Sequence, residues 1–191
     1  TIREPLGVVA GILPWNSPTQ MFGRVVGPAL AMGNTVVLKP AEDACLSVLR
    51  LAEMAMEAGL PEGVLNVVTG YGAEAGAALT AHPAIDFISF TGSPEVGTLV
   101  QQSAAVNHVG VTLELGGKSP HILFDDADFR AALPIITNSI IVNSGQTCVA
   151  GSRLLVQASA IDEVGELFGA HFRSLSAGPH DVECDLGPLI N

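Results

Sequence analysis

A single cysteine, Cys148, sits in Asn143-Ser144-Gly145-Gln146-Thr147-Cys148-Val149-Ala150-Gly151-Ser152-Arg153, among small and amide-bearing neighbours. A cysteine kept for packing normally has large apolar neighbours, whereas glycines and amides leave room for backbone N–H groups to crowd a reacting centre. Upstream, Leu113-Glu114-Leu115-Gly116-Gly117-Lys118 supplies a carboxylate. A thiolate nucleophile with a carboxylate base is a combination suited to covalent catalysis.

A third candidate is Asn16 in Leu13-Pro14-Trp15-Asn16-Ser17-Pro18, where two prolines stiffen the loop. An amide fixed in such a loop can serve as an oxyanion donor, or it can bond its own backbone as a turn residue. Two glycine-rich turns follow predicted strands, Gly70 to Gly76 and Thr91-Gly92-Ser93-Pro94-Glu95-Val96-Gly97. The second does not match the G-x-G-x-x-G dinucleotide fingerprint and alone is either a phosphate-binding turn at a helix N-terminus or simply a tight turn, but two such turns on one edge of a parallel sheet raise the dinucleotide reading. In Val37-Leu38-Lys39-Pro40-Ala41-Glu42 a lysine ends a strand and a carboxylate follows three residues later. The pair could hold ribose hydroxyls, or it could be a solvated strand end and a helix-start charge. A carboxylate here accepts a free 2'-hydroxyl and repels a 2'-phosphate, which favours NAD over NADP.

The elements that must position these residues alternate along the chain. Strand candidates are 7–13, 35–39, 64–68, 85–90, 109–113, 121–123 and 154–157, nearly continuous in Val, Ile and Leu as expected of strands covered on both faces. Between them run helices, the clearest over 44–58, stopped by Gly59 and Pro61. Pro94 stands at the first turn of another, where its missing N–H costs nothing. The expected fold class is α/β: an open parallel-sheet, Rossmann-like cofactor domain over 1–116, followed by the first part of a second α/β catalytic domain over 117–191. Gly116-Gly117 is the expected crossing, which places the acid at the end of one domain, the cysteine in the next and the site in a cleft between them.

Composition narrows the functional classes. Of 191 residues, 48% are hydrophobic and only 14% charged, a surface suited to meeting other protein. Lys and Arg number 8 against 19 Asp and Glu, a net charge of -11 that opposes nucleic acid and anionic membrane surfaces. The uncharged stretch 131–152 is interrupted by Pro134, Asn138 and the cysteine motif, so no transmembrane helix is expected. Three cysteines without short-spaced pairs and five scattered histidines indicate neither a disulfide framework nor a metal site, and a cytoplasmic location fits. Cys45 reads as a small core residue on a helix, and Cys184, in an acidic loop, as a poor nucleophile. Both chain ends read as interior positions of a longer polypeptide.

Five segments in this order, Pro-Trp-Asn, Lys-Pro-Ala-Glu, Phe-Thr-Gly-Ser with Glu-Val-Gly, Leu-Glu-Leu-Gly-Gly-Lys-Ser-Pro, and Gly-Gln-Thr-Cys with Ala-Gly-Ser-Arg, resemble the aldehyde dehydrogenase superfamily over essentially the whole chain. The resemblance implies an NAD-dependent oxidation of an aldehyde to a carboxylic acid, with Cys148 as nucleophile, Glu114 as general base and Asn16 as oxyanion donor. It implies a cofactor site at Trp15, Lys39, Glu42, Gly72, Gly76, Thr91, Gly92, Ser93, Gly97, Leu115 and Gly116. Substrate contacts are expected from Met21, Ser17 and Arg24; members acting on carboxylate-bearing semialdehydes resemble the arginine here, which otherwise reads as a solvated helix residue. A homodimer or homotetramer is the expected full-length assembly. CoA-acylating or other cysteine acyl-transfer chemistry, or a non-catalytic module, are the alternatives, and the segment alone is expected to bind NAD weakly and turn over poorly.

Overall fold

The computed structural model describes all 191 residues. They divide into two compact units, Thr1–Leu115 and Gly116–Asn191.

In the first unit five strands form one fully parallel sheet: β1 (Val8–Ile12), β2 (Thr35–Lys39), β3 (Leu65–Val67), β4 (Phe87–Gly92) and β5 (Gly110–Leu115). Their spatial order is β3-β2-β1-β4-β5. The chain thus winds outward from β1 in one direction and then, after β3, crosses back to continue on its other side. This is a Rossmann-like order, and between β1 and β4 the connections diverge to leave a crevice at the strands' C-terminal ends. Helices α1 (Pro18–Ala31), α2 (Leu46–Glu57), α3 (Ala77–Ala81) and α4 (Pro94–Val106) connect the strands.

Side-chain alternation sorts the apolar residues into two layers. Val9, Leu13, Val36 and Leu38 pack with Met21, Val25, Val26 and Ala29 of α1 and Val48 of α2. Ala10, Ile88 and Phe90 face the other way, onto Val100 and Ala104 of α4. Gly11 sets how closely α1 lies on β1, because a Cβ there would come within 2.5 Å of Leu38 Cδ2 and 2.9 Å of Val25 Cγ1.

Several boundaries differ from the sequence expectation, each for a physical reason. β4 and β5 run on through Thr91-Gly92 and Glu114-Leu115, because these residues pair in register, Thr91 with Glu114 and Gly92 with Leu115. Nor are β4 and β5 apolar on both faces. Ser89 and Thr91, with Thr112 and Glu114, occupy one face of the two strands, while Ile88 and Phe90 pack with Val111 and Leu113 on the other. The helix expected over 44–58 starts later, since Glu42–Ala44 forms a separate 3-10 turn. The glycine-rich turn expected at 70–76 is there, its Gly72–Gly76 part a π-helical turn opening α3.

The second unit contains a parallel pair, β6 (Pro120–Leu123) and β7 (Arg153–Val156), with α5 (Phe129–Ile141) and α6 (Ile161–Ser174). Leu123, Phe129, Ile136, Ala160, Val164 and Phe168 form its core. Asp128 caps α5 by accepting from the Ala131 N–H at 3.0 Å. Ile122 and Leu155 are exposed, so one face of this two-stranded sheet is open.

Candidate functional site

On the first unit, the C-terminal edge of the parallel sheet gathers most of the predicted residues. β1 ends at Ile12 and leads into the Trp15-Asn16-Ser17 bend, after which Pro18 opens α1 at a first-turn position. Trp15 is partly exposed. Ser17 occupies the N-cap of α1 without a side-chain capping bond. Met21 is buried in the core with Val25 and Val9.

β2 ends in Lys39, only 3% exposed, so it is not a solvated strand end. Its Nζ lies 2.6 Å from Glu42 Oε2, a charge-assisted bond. That bond is the main cause holding the Glu42 carboxyl below its ordinary range; its own backbone N–H adds to it, burial opposes it, and the Lys39 charge and the Gly72 N–H assist further. Three of the predicted cofactor residues, Lys39, Glu42 and Gly72, therefore meet in one cluster. Gly76 is buried in the π-helical turn that follows.

Ser93 is the N-cap of α4, its Oγ accepting from the Val96 N–H at 3.2 Å, with Pro94 at the first helical position. Its hydroxyl also serves Glu95, whose carboxyl is held low first by its own backbone N–H and then by Ser93. Gly97 has a packing role: a Cβ would come within 2.7 Å of Leu115 Cδ2, so its absence lets α4 approach β5. The third glycine of the dinucleotide fingerprint serves the same purpose of close helix–strand packing. Gly92 is similarly crowded, with a would-be Cβ 2.5 Å from Phe90 Cζ.

Glu114 is the penultimate residue of β5, and its Oε1 lies 2.8 Å from Arg24 Nη2 of α1. The side chains are 53% and 43% exposed for Arg24 and Glu114. A pair this open to water contributes about 0.2–1 kcal/mol to stability. Both line a cavity of about 340 Å³ along the polar face of β4 and β5, together with Ser89, Thr91 and Thr112. Nothing in the sequence signalled this partnership, since Arg24 and Glu114 are distant along the chain.

On the second unit, Cys148 is an exposed free thiol. Three consecutive residues before it, Asn143, Ser144 and Gly145, have φ of 51°, 55° and 76°, in the left-handed region. For Asn and Ser this conformation carries strain, which must be held by surrounding contacts. The Ser144 hydroxyl donates to the Gly187 carbonyl at 2.9 Å, and Gln146 Oε1 accepts from the Ile190 N–H at 3.0 Å. The Gln146 side chain also donates to the Asn143 carbonyl at 3.0 Å. Gly117 lies against this loop, since a Cβ on it would come within 3.2 Å of the Cys148 carbonyl oxygen. Gly116 adjoins it at the start of the unit and is exposed. Gly151 leaves space for the bond between His121 Nε2 and Ser139 Oγ, 2.6 Å long. No three His, Cys, Asp or Glu side chains come together in an arrangement that could hold a metal ion, and no helix is long and apolar enough to cross a membrane.

Three comparisons bear on this arrangement. The chain is 47% identical over its whole length to hydroxyisobutyraldehyde dehydrogenase of Mycolicibacterium austroafricanum, and spans 38% of that protein's length. Among solved structures, a Burkholderia cenocepacia protein matches with 62% identity and TM-score 0.96, covering 100% of this chain and 40% of that one. Betaine aldehyde dehydrogenase of Staphylococcus aureus, solved with NAD+, matches at 40% identity and TM-score 0.95, covering 98% of this chain and 37% of that one. The aldehyde dehydrogenase family model matches residues 1–191. With that match spanning every element that carries the candidate residues, the chain belongs to the aldehyde dehydrogenase family.

Proposed function

We propose that this chain forms the cofactor-binding part and the nucleophile-bearing part of an NAD-dependent dehydrogenase that oxidises an aldehyde to a carboxylic acid. In this reading residues 1–116 are the NAD-binding domain and residues 117–191 begin the catalytic domain. The observation that carries the cofactor assignment is the Lys39–Glu42–Gly72 cluster after β2 together with the Ser93-capped start of α4 after β4, both at the C-terminal ends of strands of one parallel sheet. A dinucleotide fits this edge. Glu42 has acceptor capacity for ribose hydroxyls while its charge opposes a 2'-phosphate, and the α4 N-terminus favours phosphate. Trp15, Thr91, Gly92, Leu115 and Gly116 complete the assignment by their places in the motifs.

The reaction divides among the chain's own residues. Cys148 Sγ, as thiolate, forms a bond to the aldehyde carbon, and the oxyanion that results is held by the Asn16 amide and the Cys148 backbone N–H. NAD supplies the acceptor for the hydride that leaves as this adduct becomes a thioester. Glu114 then takes a proton from water, whose oxygen bonds to the acyl carbon as the C–S bond breaks and the electron pair returns to Cys148. Arg24, with Ser17 and Met21 nearby on the same helix start, is the proposed recognition point for an acidic group on a semialdehyde. The three free thiols support a reducing, cytoplasmic setting, and the net charge of -11 supports small-molecule rather than nucleic-acid chemistry. A homo-oligomer completes the reading.

The test is NADH formation by the protein with its native flanking segments, given aldehydes and NAD. Cys148→Ala is expected to abolish it while leaving NAD binding intact. Ester or amide cleavage without any NADH would instead indicate an acyl-transfer enzyme.

A further inference from the structure

We infer that Arg24 is a positioning residue for Glu114, acting on hydrolysis of the acyl-enzyme rather than on its formation. The inference rests on the proposed function, because it needs Glu114 to be the base that activates water.

Arg24 is on α1, which packs on β1 and β2 through Val25, Val26 and Ala29, so the guanidinium is carried by a helix fixed in the core. Glu114 is held by the β4–β5 register opposite Thr91. Across the cavity between these two supports, Arg24 Nη2 meets Glu114 Oε1 at 2.8 Å. Arg24 is the only side chain that pairs with this carboxylate, and it engages one oxygen. The second oxygen, Oε2, has no protein donor and remains able to accept a proton from water. An unpaired glutamate at a strand end would sample several rotamers, each with a different direction for its lone pairs. The arginine selects among them at little cost to folding, since an ion pair this exposed is a minor stabiliser.

The step concerned is balanced within the chain and water. Water oxygen bonds to the acyl carbon, Glu114 takes the proton, and the C–S bond electrons leave with Cys148 Sγ. Arg24 donates and accepts nothing in it. Its removal therefore leaves thiolate attack untouched and slows only the step that depends on where the carboxylate points.

The experiment acylates Cys148 with p-nitrophenyl acetate and follows loss of the acetyl group by intact-protein mass spectrometry, using the protein with its native flanking segments. Expected for Arg24→Gln is an acylation rate within about twofold of wild type and thioester decay slower by about tenfold, the scale of a misplaced catalytic group. Arg24→Lys, which keeps the charge, should recover most of the decay rate. In a Glu114→Gln background, Arg24→Gln should add no further slowing, because the two residues act as one unit. Unchanged or faster decay in Arg24→Gln would overturn the inference, as would equal slowing of acylation and decay or an additive effect on Glu114→Gln. The acetyl group on Cys148 is neutral and carries no acid group that Arg24 could bind, so a role confined to recognising an acidic substrate would leave decay unchanged. If wild-type Cys148 is not acetylated at all, the proposed function and this inference fall together; normal acetylation with equal decay in the variant removes only this one.

Discussion

Glu42 illustrates how one residue's chemistry is set by its neighbours. Its carboxyl is held low chiefly by the bond from Lys39, so the folded state binds the proton less tightly than the unfolded chain does. The stability this contributes is fully present above the unfolded carboxylate range, about pH 4.3, and disappears as pH falls through the lower folded value. Glu42→Gln should consequently make the acid-side loss of stability shallower between about pH 5 and 3, read from thermal midpoints against pH. An identical pH slope in variant and wild type would contradict the cause assigned here. The same substitution removes the charge that opposes a 2'-phosphate, and the ratio of NADP to NAD affinity, measured by calorimetry, should rise. Gly11 is constrained sterically rather than electrically. Gly11→Ala inserts a methyl between Leu38 and Val25 and should destabilise the fold by about 1–3 kcal/mol, as overpacking does; urea denaturation would measure it.

At the scale of the element, the site depends on how helices start and strands end. Ser93 closes the first turn of α4 through its bond to the Val96 N–H. Ser93→Ala should cost about 1 kcal/mol of stability, and Ser93→Asp, which keeps an acceptor, should retain most of it. In the proposed reading the two variants diverge in function: Asp adds a negative charge where a cofactor phosphate would lie, so its NAD affinity should fall further than that of Ala despite its greater stability. A calorimetric titration of both variants with NAD decides this, and equal affinities would remove phosphate from that helix start. The cysteine loop uses a different device. Its left-handed Asn143-Ser144-Gly145 run is tied by Ser144 to the Gly187 carbonyl and by Gln146 to the Ile190 N–H, so distant backbone holds the turn that leads to Cys148.

For the whole molecule, the winding order β3-β2-β1-β4-β5 brings scattered motifs to one edge of the sheet. Parallel strands all end on the same side, so Asn16, Lys39, Thr91 and Glu114, each at or just after a strand's C-terminal end, are brought to that side by topology alone. Charge acts at this scale too. Of the carboxyls held low, Glu95 and Asp185 add to Glu42, Asp185 chiefly through the Ser176 backbone N–H and hydroxyl. All three favour the folded state above the carboxylate range and cease to do so below it. The chain's stability should therefore decline as pH is lowered from 6 towards 3, a fall that a pH series of thermal melts would record.

The sequence alone marked candidate residues for chemistry and specified the order of strands and helices, because both are local. Alternation of short β-rich runs with helices needs only nearest neighbours to be read, and so does the small, amide-rich setting of Cys148. The ends of β4 and β5 were not legible, since Thr91 and Glu114 become strand residues only by pairing with each other. Lys39 reads equally well as a solvated strand end, and only packing shows it to be buried and bonded to Glu42. Gly97 reads in the sequence as a cofactor position, and the tertiary structure gives it a packing role against Leu115. Above all, the ion pair of Arg24 with Glu114 belongs to the tertiary structure, because a helix after the first strand and the end of the fifth meet only when the sheet winds in both directions from β1.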